Sequence, residues 1–195
     1  MKIKIIGLTG PIASGKNSVA KILSGHGAFV IDVDIIGHQV LAPGTKVWSN
    51  IVKTFGANIV GSHGRINRKM LGKKVFSEPA LLKRLNRIMH PEMVRQLKRK
   101  IRQISSTKRI IVINAAILAK MDLLPLVDKV IVVLANRKKR LNRLLKSGHN
   151  RADALRRIRS MDSVSKYRNI ADIVIVNNDS FSALKLKVKK VLAVL

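Results

Sequence analysis

The chain has 195 residues and no cysteine, and it sets 39 lysines and arginines against only 10 aspartates and glutamates, for a net charge of +29. A chain of this length buries a core without cross-links, and the missing cysteines exclude a disulfide framework and thiol chemistry. The longest apolar stretches, such as residues 110–119, contain an asparagine and fall well short of the ~20 residues of a membrane span, so a soluble, cytoplasmic protein is expected.

The first element is a strand, Ile3, Ile5, Ile6 and Leu8, that runs into Gly10-Pro11-Ile12-Ala13-Ser14-Gly15-Lys16-Asn17-Ser18. This apolar run is too short for the core of an export signal and is committed to the strand. The G-x4-G-K spacing is that of a phosphate loop, in which glycines let backbone N–H groups approach anionic oxygens and the lysine adds a full charge at a helix N-terminus. Gly10, Ala13, Ser14, Gly15, Lys16, Asn17 and Ser18 are the expected nucleotide contacts. The position after the lysine, Ser or Thr in the motif, is Asn17.

A helix is expected over residues 15–24, stopped by Gly25 and Gly27. Residues 28–32 read as a second strand ending in Asp32, and Val33-Asp34 leads into another helix. Ligands gather at the carboxyl ends of parallel strands, which places Asp32 and Asp34 at the site. At that position Asp34 can also serve as the cap of the helix that follows it.

From residue 43 to about 106 the pattern is helical, with stretches at 46–55, 67–76, 79–88 and 91–104, the last two separated at Pro91. Arg65, Arg68, Arg84, Arg87 and Arg95 make this lobe basic, either as a seat for a phosphorylated acceptor or as a solvated face. His90, before Pro91 at an expected helix start, reads as structural or as part of such a seat. Trp48 is expected to pack within the lobe. Residues 109–114, 129–134 and 172–176 are near-continuous apolar runs, as in parallel strands covered on both faces. Each is followed by helical sequence, with helices at 136–146, 151–161 and 180–195.

In this order the pieces resemble the dephospho-coenzyme A kinase family, P-loop enzymes that phosphorylate the ribose 3′-hydroxyl of dephospho-CoA with ATP. The resemblance rests on Ile6-Gly7-Leu8-Thr9-Gly10 with the loop, Val30-Ile31-Asp32-Val33-Asp34 with His38, and Phe55-Gly56. It continues through Gly64-Arg65-Ile66-Asn67-Arg68, Leu85-Asn86-Arg87-Ile88-Met89-His90-Pro91, and Ala171-Asp172-Ile173-Val174-Ile175 with Asn177-Asn178. It covers nearly the whole chain and implies an α/β P-loop kinase-like fold. That fold is one domain over residues 1–195: a five-stranded parallel sheet with helices on both faces, a helical acceptor-binding insertion at about 43–106, and a lid at about 137–161.

The resemblance further implies ATP and Mg²⁺ as cofactors and dephospho-CoA as acceptor. Asp34 is the implied base, with Lys16, Arg140 and Arg143 acting on the transferred phosphate. Asp32, Asp34, His38, Arg65 and His90 contact the acceptor, and Asn17 and Asp32 hold Mg²⁺. The chain departs from the family pattern at Asn17, at Asn67 in place of an Asp, and at Asn114 with Ala115-Ala116 in place of an acidic, proline-containing strand end. The family's later lid arginine has no counterpart near Lys146-Ser147-Gly148.

The charge excess exceeds what two phosphorylated ligands require. It reads either as solvated surface or as non-specific RNA affinity. Another small-molecule or nucleoside P-loop kinase, and a basic nucleic-acid-binding protein with a nucleotide pocket, are the alternatives. The absence of an RNA-recognition motif and an aromatic content of only 3% favour the enzyme. Nothing in the pattern specifies an oligomer.

Overall fold

The strands β1 (Lys4–Thr9), β2 (Phe29–Asp32), β3 (Ile110–Asn114), β4 (Lys129–Leu134) and β5 (Ile173–Val176) form one sheet in the order β2-β3-β1-β4-β5. The computed structural model describes residues 3–104, 109–160 and 163–195. The expected ends of the insertion and the lid, Ser106 and Met161, lie outside the described residues. β1 is central and pairs in parallel with β3, setting Ile6 beside Val112, and with β4, setting Leu8 beside Ile131. β4 pairs in parallel with β5.

Among the described residues eight α-helices lie between the strands and a ninth follows the last: α1 (Lys16–Gly25), α2 (Val33–Val40), α3 (Lys46–Phe55), α4 (Arg68–Phe76), α5 (Pro79–Ile104), α6 (Arg137–Lys146), α7 (Arg151–Arg159), α8 (Val164–Asn169) and α9 (Phe181–Ala193). The chain divides into two compact units, Asp32–Arg102 being one and the residues on either side the other. In the sheet unit, Ile6, Leu8, Ile131, Val133 and Ile175 pack against Val19, Ile22 and Leu23 of α1 and Leu184 and Val188 of α9. Ile111, Ile113 and Val132, at the alternate positions of their strands, are buried as well. Both faces of the sheet are therefore apolar, which is why the strands are continuous runs of Ile and Val rather than alternating ones.

Two aspartates fix the register. Asp128 accepts from the Ile5 N–H at 2.8 Å while its own N–H donates to the Ile5 carbonyl at 2.7 Å. Asp172 repeats the arrangement on Val130, at 2.7 and 3.0 Å. The Val130 N–H, with help from Lys129, holds the Asp172 carboxyl below the usual carboxylate range.

In the Asp32–Arg102 unit, Val47, Ile51 and Phe55 of α3, Leu71 and Val75 of α4, and Met93 and Leu97 of α5 are buried. Thr45 caps α3 through the Trp48 N–H, and the Trp48 indole donates to the Gly64 carbonyl at 2.8 Å, within this unit. Asn67 caps α4 at 3.1 Å, a duty its amide oxygen performs as well as a carboxylate would.

The expected break at Pro91 is absent, and α5 runs 26 residues through it. A proline removes one hydrogen bond, and the buried Met93 and Leu97 in the turns that follow hold the helix in register. Gly25 closes α1 from within, and Gly27, at φ +90°, makes the turn. After β3 the chain forms two short 3₁₀ turns, Ala119–Met121 and Leu124–Leu126, where a helix was expected, and α8 had not been expected. No helix among the described residues is long and apolar enough to cross a membrane.

Candidate active site

Between β1 and α1 the backbone folds into a cradle that only its own sequence permits. Gly10 has φ +153°, and a Cβ there would lie 2.2 Å from the Val133 carbonyl oxygen. Gly15, immediately before α1, has φ +96°, and its Cβ would lie 2.0 Å from Asn177 Nδ2. Ala13 takes the left-handed conformation at φ +59°, a cost accepted inside a turn closed by the Ser14 N–H on the Pro11 carbonyl at 3.1 Å.

The carbonyls of this loop are held from behind. Arg140, buried on α6, donates from Nε to the Ile12 carbonyl at 2.8 Å. Arg143 donates from Nη1 to the Ala13 and Ser14 carbonyls at 3.0 and 2.9 Å and from Nη2 to the Asn177 carbonyl at 3.0 Å. Asn177, buried just past β5, donates from Nδ2 to the Ser14 carbonyl at 2.8 Å. In a trans peptide the N–H lies opposite the C=O. Engaging the carbonyls of Ile12 and Ser14 therefore turns the N–H groups of Ala13 and Gly15 away from the arginines, as an anion-binding nest requires. Burial pushes both guanidinium pKa values down from their usual value. Ser14 Oγ and Arg140 Nη2 are buried without a hydrogen-bond partner among the described residues.

Lys16 Nζ donates to Asn114 Oδ1, at the end of β3, at 2.6 Å and to Asn17 Oδ1 at 3.4 Å. Asn114 Nδ2 donates to Asn17 Oδ1 at 3.2 Å. Two of the positions that depart from the family pattern are thus bonded to each other and to the loop lysine.

In the other unit Asp32 is the N-cap of α2, its Oδ1 accepting from the Asp34 N–H at 2.9 Å. The reading of Asp34 as the cap is corrected: Asp34 is the second residue of the helix, and the side chain that caps the first turn is that of Asp32. The exposed Asp34 carboxylate makes no hydrogen bond or ion pair among the described residues. His38 Nε2 is hydrogen-bonded to Arg68. Arg65 is exposed, beside the antiparallel bridge of Val60 with Ile66. His90 is half-buried in the middle of α5 and not at a helix start, a second consequence of the helix continuing through Pro91.

Asn114, noted in the sequence only as a departure, and Asn177 with Asn178, noted only as part of the family motif, prove to be supports of the site; Asn178 Oδ1 accepts from the Asn136 N–H at 2.8 Å. Their signal was present: asparagines recur at or just after the carboxyl ends of β3, β4 and β5.

A parallel sheet of this order with a phosphate loop leaving its central strand defines a P-loop kinase fold. The Campylobacter jejuni dephospho-CoA kinase shares that fold at a TM-score of 0.72 and 23% identity, over 99% of this chain and 96% of its own. A crystallised Thermus thermophilus protein superposes at a TM-score of 0.84 with 28% identity, over 100% of this chain and 99% of its own. The dephospho-CoA kinase of Carboxydothermus hydrogenoformans is 36% identical over 97% of this chain and 93% of its own length. The family model for dephospho-CoA kinase matches residues 4–183, and the chain belongs to that family.

Proposed function

We propose that the chain transfers the γ-phosphoryl group of ATP to the ribose 3′-hydroxyl of dephospho-CoA, the last step of coenzyme A biosynthesis. The observation that carries this reading is the braced phosphate loop in a chain of the dephospho-CoA kinase family. Phosphoryl transfer asks of a protein mainly positioning and charge neutralisation. Lys16 supplies the charge on the transferred phosphate, and the loop N–H groups with the first turn of α1 hold the remaining oxygens. Arg140 and Arg143 set the loop peptides and add positive charge behind them.

Asp34 accepts the hydroxyl proton, a role supported by its unengaged carboxylate. His38, Arg65 and His90 bind the acceptor, with the helical insertion as its lobe and residues 137–161 as the lid. Mg²⁺ accompanies ATP and neutralises charge on its outer phosphates. Asp32 fits as its carboxylate, since a cation held largely through substrate phosphates and its own waters needs only one or two such groups. The use of ATP supports a cytoplasmic location.

The test is single-turnover transfer to dephospho-CoA. Asp34→Asn keeps ATP affinity and loses on the order of 10²–10⁴-fold in rate. An unchanged rate in the folded variant removes Asp34 as base, and equal ATP consumption with a nucleoside in place of dephospho-CoA removes the acceptor.

A further inference from the structure

The amide of Asn17 has only one orientation open to it. A lysine ammonium can only donate, so Lys16 Nζ, 2.6 Å from the Asn114 side chain, must face its oxygen. The other end of that amide, Nδ2, is then the one that meets Asn17, and a donor must meet an oxygen, Oδ1 at 3.2 Å. Lys16 Nζ at 3.4 Å donates to the same atom. Asn17 Oδ1 thus receives two hydrogens, one for each of its lone pairs, and the exposed side chain is left with the two hydrogens of Nδ2, which have no partner among the described residues.

A cation is bound by lone pairs and a phosphate by hydrogens. At the second position of α1, beside the first-turn N–H groups of the loop, Asn17 offers hydrogens. We propose that Asn17 donates its amide hydrogens to a phosphate oxygen of the donor nucleotide and does not ligate Mg²⁺, so that this side chain contributes equally to nucleotide binding with and without the cation. This rests on the kinase reading above, and it replaces the expected place of Asn17 in the metal site. A hydroxyl at this position could accept a cation while donating elsewhere. Asn17, its oxygen held by Asn114 and Lys16, cannot.

The experiment is calorimetric titration of ATP into the wild-type chain and Asn17→Ala, with EDTA and with Mg²⁺, alongside melting temperatures. Loss of one hydrogen bond to a charged oxygen weakens ATP binding to the variant about tenfold in EDTA, and the ratio of the two affinities, with and without Mg²⁺, stays at its wild-type value. An unchanged affinity in EDTA combined with a reduced gain from Mg²⁺ would make Asn17 a cation ligand and overturn the proposal. Asn17→Ser provides a second readout: restoring a hydroxyl raises the gain from Mg²⁺ above wild type, and an unchanged or smaller gain counts against the proposal. Failure of the wild-type chain to bind ATP in either condition would instead sink the kinase reading itself.

Discussion

At Gly15 two constraints meet in one residue, a φ of +96° and the Asn177 amide 2.0 Å from where a methyl group would sit. Asn177 cannot retreat without releasing the Ser14 carbonyl, and Arg143 holds its backbone carbonyl in turn. Gly15→Ala is therefore expected to cost on the order of 1–3 kcal/mol of stability and to abolish tight ATP binding, read by thermal melting and ATP titration. A variant with wild-type affinity would show that the loop binds nucleotide in some other conformation. Asn114 shows the same economy of position. It is buried at the end of β3 and faces the loop lysine, so that an uncharged amide serves where the family pattern has an acid.

Helices α6 and α7 form the element on which the loop leans. Leu144, Ala154 and Ile158 are buried together, with Ile12 and Ala13 of the loop packed against them. The start of α7 is organised by Asp153. Its N–H is capped by Asn150 at 2.8 Å, and its carboxylate receives Arg157, Arg156 and His149. The hydrogen bonds from Arg157 and then Arg156 pull its pKa from the ordinary 3.8 down to about 2. A depressed carboxylate pKa means that the folded state favours the ionised form, so the contribution is complete above the unfolded value and is lost as pH falls toward the folded one. Between about pH 4 and pH 2 the wild-type chain is expected to lose melting temperature more steeply than Asp153→Asn, which lacks this contribution at every pH. Parallel slopes for the two chains in that window would show that the arginines contribute nothing through Asp153.

At the scale of the whole molecule the arithmetic of charge dominates. Ten acids cannot neutralise 39 bases, and among the described residues the acids that do pair are largely local, such as Glu92 with Arg95 and Asp179 with Lys187. A polyanion releases its condensed counterions to such a surface, which favours weak, sequence-independent association. Fluorescence anisotropy with an unstructured RNA is expected to show log affinity falling linearly as log salt rises. No binding at low salt would leave the charge as solvated surface.

The amino-acid sequence by itself determined the strands, the phosphate loop and most of the helices, because each is written in a local pattern: β-branched runs, G-x4-G-K spacing, capping asparagines and serines. It also carried the family, through motifs set in order along the chain. The tertiary structure decided which aspartate caps α2, whether α5 survives Pro91, and what holds the loop. Asn17 meets Asn114 across 97 positions, Arg143 meets Ala13 across 130, and Asn177 meets Ser14 across 163. These pairs exist because the strand order brings distant segments to the carboxyl end of one sheet. Local periodicity is silent about that order, since it is fixed by how both faces of the sheet are covered and not by any single stretch of residues.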